Sequence, residues 1–168
     1  MSREKGPQIV SAAEHAVSDH ELTLLLTEVY VGEGFTAPDV AGPAFAPEKV
    51  RARGELLFVR SSLGTLAGMV MVVPPWSPAC RFAQAHEAEL HLLATARQHR
   101  GVGIGKALVD AALAHARRGG FETMLLWTQP SMSVAQHLYE SAGFQRVPGR
   151  DFVAHSRQFL FYERALGR

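Results

Sequence analysis

Seven consecutive residues near the middle of this 168-residue sequence, Arg100-Gly101-Val102-Gly103-Ile104-Gly105-Lys106, have the composition of an anion-binding turn. Three glycines permit bare backbone in a tight corner. A helix that starts there leaves its first N–H groups without intrahelical partners. Those amides and the helix dipole favour a negative guest, and Arg100 and Lys106 add charge. A pyrophosphate suits such a site. Spacing separates the phosphate motifs. The dinucleotide pattern G-x-G-x-x-G fails, because from Gly101 or Gly103 its last position falls on Lys106 or Leu108. The P-loop pattern fails because Arg100 and Ala107 stand where it needs Gly and Ser or Thr. What remains is Arg-x-x-Gly-x-Gly over Arg100, Gly103 and Gly105. The bland alternative is a tight strand-to-helix corner. The context adds an apolar lead-in (Glu-Leu-His-Leu-Leu-Ala-Thr, 89–95) and an alanine-rich exit from Ala107, which is the setting a phosphate turn requires.

A second stretch, 127–144, reads as a short capped helix. Ser133 is placed to cap its start. Gly143 is placed to end it in the left-handed conformation, with Phe144 folding back toward Tyr139. Ala135 and Tyr139 stand four apart and share a helix face.

Taken together, the two stretches resemble the GNAT superfamily of N-acetyltransferases. Its signatures are Q/R-x-x-G-x-G/A and an A-x-x-L-Y followed by G-F, here Ala135, Leu138, Tyr139, Gly143 and Phe144. The resemblance is firm from Glu87 to Phe144 and looser outside. It implies the acyl-CoA N-acyltransferase fold: a single α/β domain with a mixed, mostly antiparallel sheet flanked by helices. It implies acetyl-CoA as co-substrate, no metal, and direct attack of an amine on the thioester. By carry-over, Arg100, Gly101, Val102, Gly103, Ile104, Gly105 and Lys106 hold the pyrophosphate. Leu93, Ala94 and Thr95 offer backbone groups to the pantetheine arm, beside a strand that splays from its neighbour at a bulge. An amide near Ala94 serves the oxyanion. Tyr139 becomes the general acid for the leaving thiolate, against a plain packing role. One departure is Met132, where the family often has Asn; Ser131 or Ser133 is left to contact the pantetheine arm.

The attacking amine must lose a proton, and a carboxylate or imidazole can take it. Alternation puts Glu89 and His91 on one face of a strand. Glu89, where such a family base often sits, is the candidate, with His91 second. Both also read as ordinary polar residues of a half-exposed strand.

The elements that must position these groups follow from pattern. Apolar spacing at Leu22, Leu25, Leu26 and Val29 predicts a helix over 19–30, capped by Ser18 or Asp19. Glycines and prolines predict loop over 31–47, then a short helix over 47–53 with Pro47 at its start. Residues 55–60 and 65–73 read as an antiparallel hairpin, and 87–95 as a buried central strand. Then come a helix over 103–118, a strand over 123–128, a helix over 133–142 and a last strand over 159–162. Residues 1–8 read as a tail, and 9–168 as the acetyltransferase domain.

Composition sets outer limits. The chain is 47% apolar and 20% charged with net charge +1, a globular profile without the basic excess of a nucleic-acid binder. The single cysteine, Cys80, fits a reducing compartment. No signal peptide or apolar span is visible, so the expected setting is cytoplasmic and off the membrane. His86, Glu87 and His91 miss the H-E-x-x-H spacing of a zinc site. Trp76, among prolines, is a loop anchor or a gate to the acceptor site. The acceptor is a small-molecule or protein amine, and a homodimer is compatible with the sequence. The rival reading is a non-catalytic acyl-CoA sensor, for which Tyr139 would be dispensable.

Overall fold

In the computed structural model, which describes residues 7–167, Ser18 starts the first helix with a full capping box. Its hydroxyl accepts from the Glu21 amide and the Glu21 carboxylate accepts from the Ser18 amide. That helix, α1 (Asp19–Leu26), runs into a π-helical turn, Thr27–Val31. The expected loop over 31–47 contains a helix of its own, α2 (Pro38–Ala44). Its glycine and two prolines argue against helix by propensity. Pro38 occupies the tolerated first turn, and Ala41 and Phe45 pack into the core, which overrides propensity. The short helix α3 spans Pro47–Arg51. Of the expected tail, residues 1–6 lie outside the described residues, and Pro7 and Gln8 are exposed and irregular.

The strands are β1 (Ile9–Ser11), β2 (Glu55–Arg60), β3 (Leu66–Val73), β4 (Glu87–Thr95), β5 (Thr123–Thr128), β6 (Gln145–Arg146), β7 (Phe152–Ala154) and β8 (Arg157–Ala165). Helix α4 (Ile104–Arg118) joins β4 to β5, and α5 (Ser133–Ser141) follows β5. The sheet order is β1-β2-β3-β4-β5-β8-β6, with β7 on β8. Only β4 and β5 pair in parallel among the described strands. The fold is therefore a mixed, mostly antiparallel sheet, as the sequence led one to expect. The three-residue strand β1 and the short β6 and β7 carry too little pattern to be read from sequence.

Each sheet face has its own core. Val70, Val72, Ala88 and Leu90 meet α4 through Leu108, Val109, Ala112 and Leu113. Phe58, Met69, Met71 and Val73 meet Leu22, Leu25 and Leu26 of α1 and Phe45 after α2. Gly68 in β3 lets α4 approach closely. A Cβ there would stand 2.9 Å from Ile104 Cγ2 and 3.0 Å from Leu108 Cδ1.

Candidate functional site

The site begins where β4 and β5 part. They pair only from Glu87 to Glu89 opposite Thr123 to Leu125, so the rest of β4 has no partner on that side. A bulge causes the divergence. Between the Met69–Ala94 and Met71–His91 pairs, β4 uses one residue more than β3, and Leu92 takes φ 52. Ala96 donates to Ala67, so alternation gives Ala94 its hydrogen bonds with Met69 and turns the Leu93 and Thr95 groups toward the gap. Their carbonyls confirm the direction. The Tyr30 hydroxyl donates to Leu93 O at 3.0 Å and Arg100 Nε donates to Thr95 O at 3.1 Å. The Ala94 amide is used in the sheet, so an amide near Ala94 that faces the gap belongs to one of its neighbours.

The gap opens onto a cleft of about 850 Å³ between α4 and α5. Leu93, Thr95, Arg100, Gly101, Gly103, Ile104, Gly105, Lys106 and Ser133 line it, which gathers most of the sequence-derived cofactor residues in one place. Ala94 is buried in the sheet and Val102 points outward at 68% exposure, so neither lines it. Gly103 is the N-cap of α4, with φ 84 and no side-chain cap. The first intrahelical bond runs from Ala107 to Gly103, which leaves the Ile104, Gly105 and Lys106 amides open. An anion fits this end. Arg100 is less free than its sequence suggests: Glu33, after the π-helical turn, pairs with it at 2.6 Å. Lys106 pairs with Asp110 at 2.5 Å.

Helix α5 forms the other wall. Its cap differs from expectation: Met132 holds the N-cap position and Ser133 is the first helical residue, with no side-chain bond to the helix. Met132 itself lines the cleft and accepts from Thr128 Oγ1 through its sulfur at 3.4 Å. The C-terminal end does match. Gly143 has φ 88, its amide donates to Glu140 O, and the Phe144 amide donates to Tyr139 O. This is a complete Schellman motif. The Tyr139 ring packs on Phe144 at 5.8 Å and on Tyr162 at 6.4 Å, behind the cleft wall. Burial raises its phenol well above the ordinary value, and nearby Tyr30 adds to the shift.

On the opposite sheet face, Glu89 and His91 do lie side by side, 2.8 Å apart. Glu89 is fully buried. Its carboxylate accepts the backbone amides of Arg81 (3.0 Å), Phe82 (2.5 Å) and Ala83 (2.9 Å), besides His91 Nε2. Desolvation raises this carboxyl, but the bonds to His91 and the two amides of Phe82 and Ala83 outweigh it, and the net direction is down. Desolvation lowers His91, with Arg53 and Arg81 adding to it against the pull of Glu89. Arg53 Nη1 lies 3.1 Å from His91 Nδ1. A neutral ring accepting from Arg53 and donating to Glu89 satisfies both contacts. Trp127 covers the imidazole edge-on at 5.0 Å. The half-exposed-strand reading fails here, since the loop at Arg81–Ala83 closes over Glu89 and both residues are buried. Tyr30, Glu33 and Arg53 escaped the sequence reading. Each comes from an element distant in sequence, and no local pattern marks it.

A sequence model described as the acetyltransferase (GNAT) family matches residues 20–144. Among curated proteins, N-acetyltransferase family 8 member 3 of Rattus norvegicus is 35% identical over 90 residues, covering 54% of this chain and 38% of that protein. A mycothiol acetyltransferase of Cellulomonas flavigena is 38% identical over 86 residues, covering 50% and 25%. The matches thus span less than half the length of these relatives. Among solved structures, a GNAT-family acetyltransferase from Staphylococcus aureus aligns with TM-score 0.72 and 17% identity, covering 95% of this chain and 99% of the other. A Bacillus subtilis acetyltransferase in complex with CoA aligns with TM-score 0.67 and 18% identity, covering 95% and 98%. The family match, the splayed strands and the uncapped glycine turn agree: this chain belongs to the acetyltransferase (GNAT) family.

Proposed function

We propose that the protein, through a catalytic domain spanning 9–168, transfers the acetyl group of acetyl-CoA to a primary amine. The observation that carries this is the continuity of the β4–β5 gap with the open amides of α4 along one cleft. That geometry suits an extended ligand with a pyrophosphate at one end and an amide-bearing arm at the other. When bound, acetyl-CoA supplies an activated thioester.

The chain's own residues divide the remaining work. The amides of Ile104, Gly105 and Lys106 hold the pyrophosphate, and Leu93 and Thr95 offer backbone groups to the arm. An amide on the gap side of β4 stabilises negative charge on the thioester oxygen. Tyr139 supplies a proton to the departing sulfur. The amine proton is assigned to the Glu89–His91 pair. His91 Nδ1 is the accepting atom once Arg53 releases it, and Glu89 on Nε2 stabilises the imidazolium that forms; direct abstraction by Glu89 would require the Arg81–Ala83 loop to move. The acceptor enters from the α1–α2 side, which is the side of Tyr30 and Trp127. A cytoplasmic setting fits this chemistry, since acetyl-CoA is an intracellular metabolite.

Calorimetric titration with acetyl-CoA, beside a Gly103→Glu variant, tests the reading. Micromolar binding that the variant abolishes is expected, because a carboxylate at φ 84 puts strain and like charge on the anion turn. Absence of binding by folded wild type overturns it. Binding without acetyl transfer to any of a broad panel of amines would favour the sensor reading instead.

A further inference from the structure

The cleft does not end at the glycine turn. It continues between α4 and α5 past Leu138, Ser141 and Gly143 to Arg164 of β8. Arg164 pairs with Met124 across the β5–β8 ladder, and Met124 packs in the α4 core. Paired residues share a sheet face, so Arg164 leaves the sheet on the α4 side. Its place depends on a missing side chain. A Cβ on Gly143 would collide with Arg164 Nη1, so the guanidinium lies against the bare backbone that ends α5.

Among the described residues, Arg164 has no carboxylate partner, unlike its cationic neighbours. Arg100 is paired with Glu33, Lys106 with Asp110, Arg146 with Asp151 and Arg150 with Glu163. Glu140, one turn before Gly143, is engaged with the Tyr162 hydroxyl at 3.0 Å. Arg164 Nε is buried without a hydrogen-bond partner, and among the described residues no carboxylate pairs with the guanidinium. The C-terminal end of α5 favours a cation nearby but does not neutralise it. A guanidinium with an unmet buried donor is costly, and an incoming oxyanion relieves that cost with charge-assisted bonds.

One cleft therefore offers two anion sites: the open amides of α4, and Arg164. We propose that Arg164 is the subsite for a phosphomonoester, the 3′-phosphate of coenzyme A, and that it makes the protein select coenzyme A over its 3′-dephospho form. The inference rests on the acetyl-CoA reading above. Removing the terminal phosphate from the ligand and removing the guanidinium from the protein then delete the same interaction.

Calorimetric titrations with CoA and with 3′-dephospho-CoA on wild type, Arg164→Met and Arg164→Lys test this, with thermal melts to verify folding. Wild type should bind CoA about tenfold more tightly than dephospho-CoA, the usual worth of one charge-assisted bond. Arg164→Met should lose about that factor for CoA and bind dephospho-CoA as wild type does. Arg164→Lys should recover part of the preference. Equal wild-type affinity for the two ligands overturns the subsite while sparing the acetyl-CoA reading. So does an Arg164→Met variant that weakens both ligands alike. Wild type that binds neither ligand overturns both.

Discussion

Replacing Glu89 with alanine should destabilise the fold far more than an ordinary change at a base in an open active site. The carboxylate sits at 0% exposure and is the acceptor for three consecutive amides, those of Arg81, Phe82 and Ala83, and for His91. Alanine leaves these donors without an acceptor. Each stranded amide costs about 1 kcal/mol or more, so the loss from the amides alone is about 3 kcal/mol. His91 loses its partner as well. Urea unfolding at pH 7, followed by tryptophan fluorescence, reads the difference directly. Glu89→Gln keeps one acceptor oxygen and should fall between the two. A loss below about 1 kcal/mol for Glu89→Ala, the range of ordinary substitutions, would refute the loop-anchoring argument. The same residues predict acid sensitivity. His91 has a folded pKa below its ordinary 6.5 and Glu89 one below its ordinary 4.5. In both cases the unfolded chain binds the proton first, so stability is complete above the ordinary value and is lost as pH falls. Unfolding free energy should decline as pH falls below 6.5 through His91 and decline further below 4.5 through Glu89. A His91→Gln variant should flatten the first limb.

Three further outcomes are expected. Tyr139→Phe should lower kcat about 100-fold, at the low end of general-acid contributions, with an unchanged Kd for acetyl-CoA; equal turnover would leave the tyrosine as packing against Phe144. Its raised phenol should leave kcat free of a tyrosine limb below pH 10, checked by a pH–rate profile. Gly68→Ala should cost about 1–3 kcal/mol through overpacking, because the new methyl meets Ile104, Leu108 and the Ala94 carbonyl; a melting temperature equal to wild type would show that α4 shifts freely.

What the sequence determined by itself was local. Glycine spacing at Gly101, Gly103 and Gly105 marked the turn, because backbone freedom belongs to single residues and needs no distant partner. Gly143 and Phe144 marked the end of α5 for the same reason, and alternation placed Glu89 and His91 on one face. The apolar runs of β4 and β5 had the right bounds. Short-range pattern failed where packing outweighed it: α2 formed despite Gly42 and Pro43, and Ser133 sat one position too late to cap α5. The tertiary structure decided which groups meet. The Tyr30 hydroxyl on Leu93, Glu33 on Arg100 and Arg53 on His91 all join segments far apart in the chain that only the tertiary fold brings together. It also closed the Arg81–Ala83 loop over Glu89 and left Arg164 Nε without a hydrogen-bond partner among the described residues. Burial and the pairing of charges are properties of the packed whole, and no window of sequence contains them.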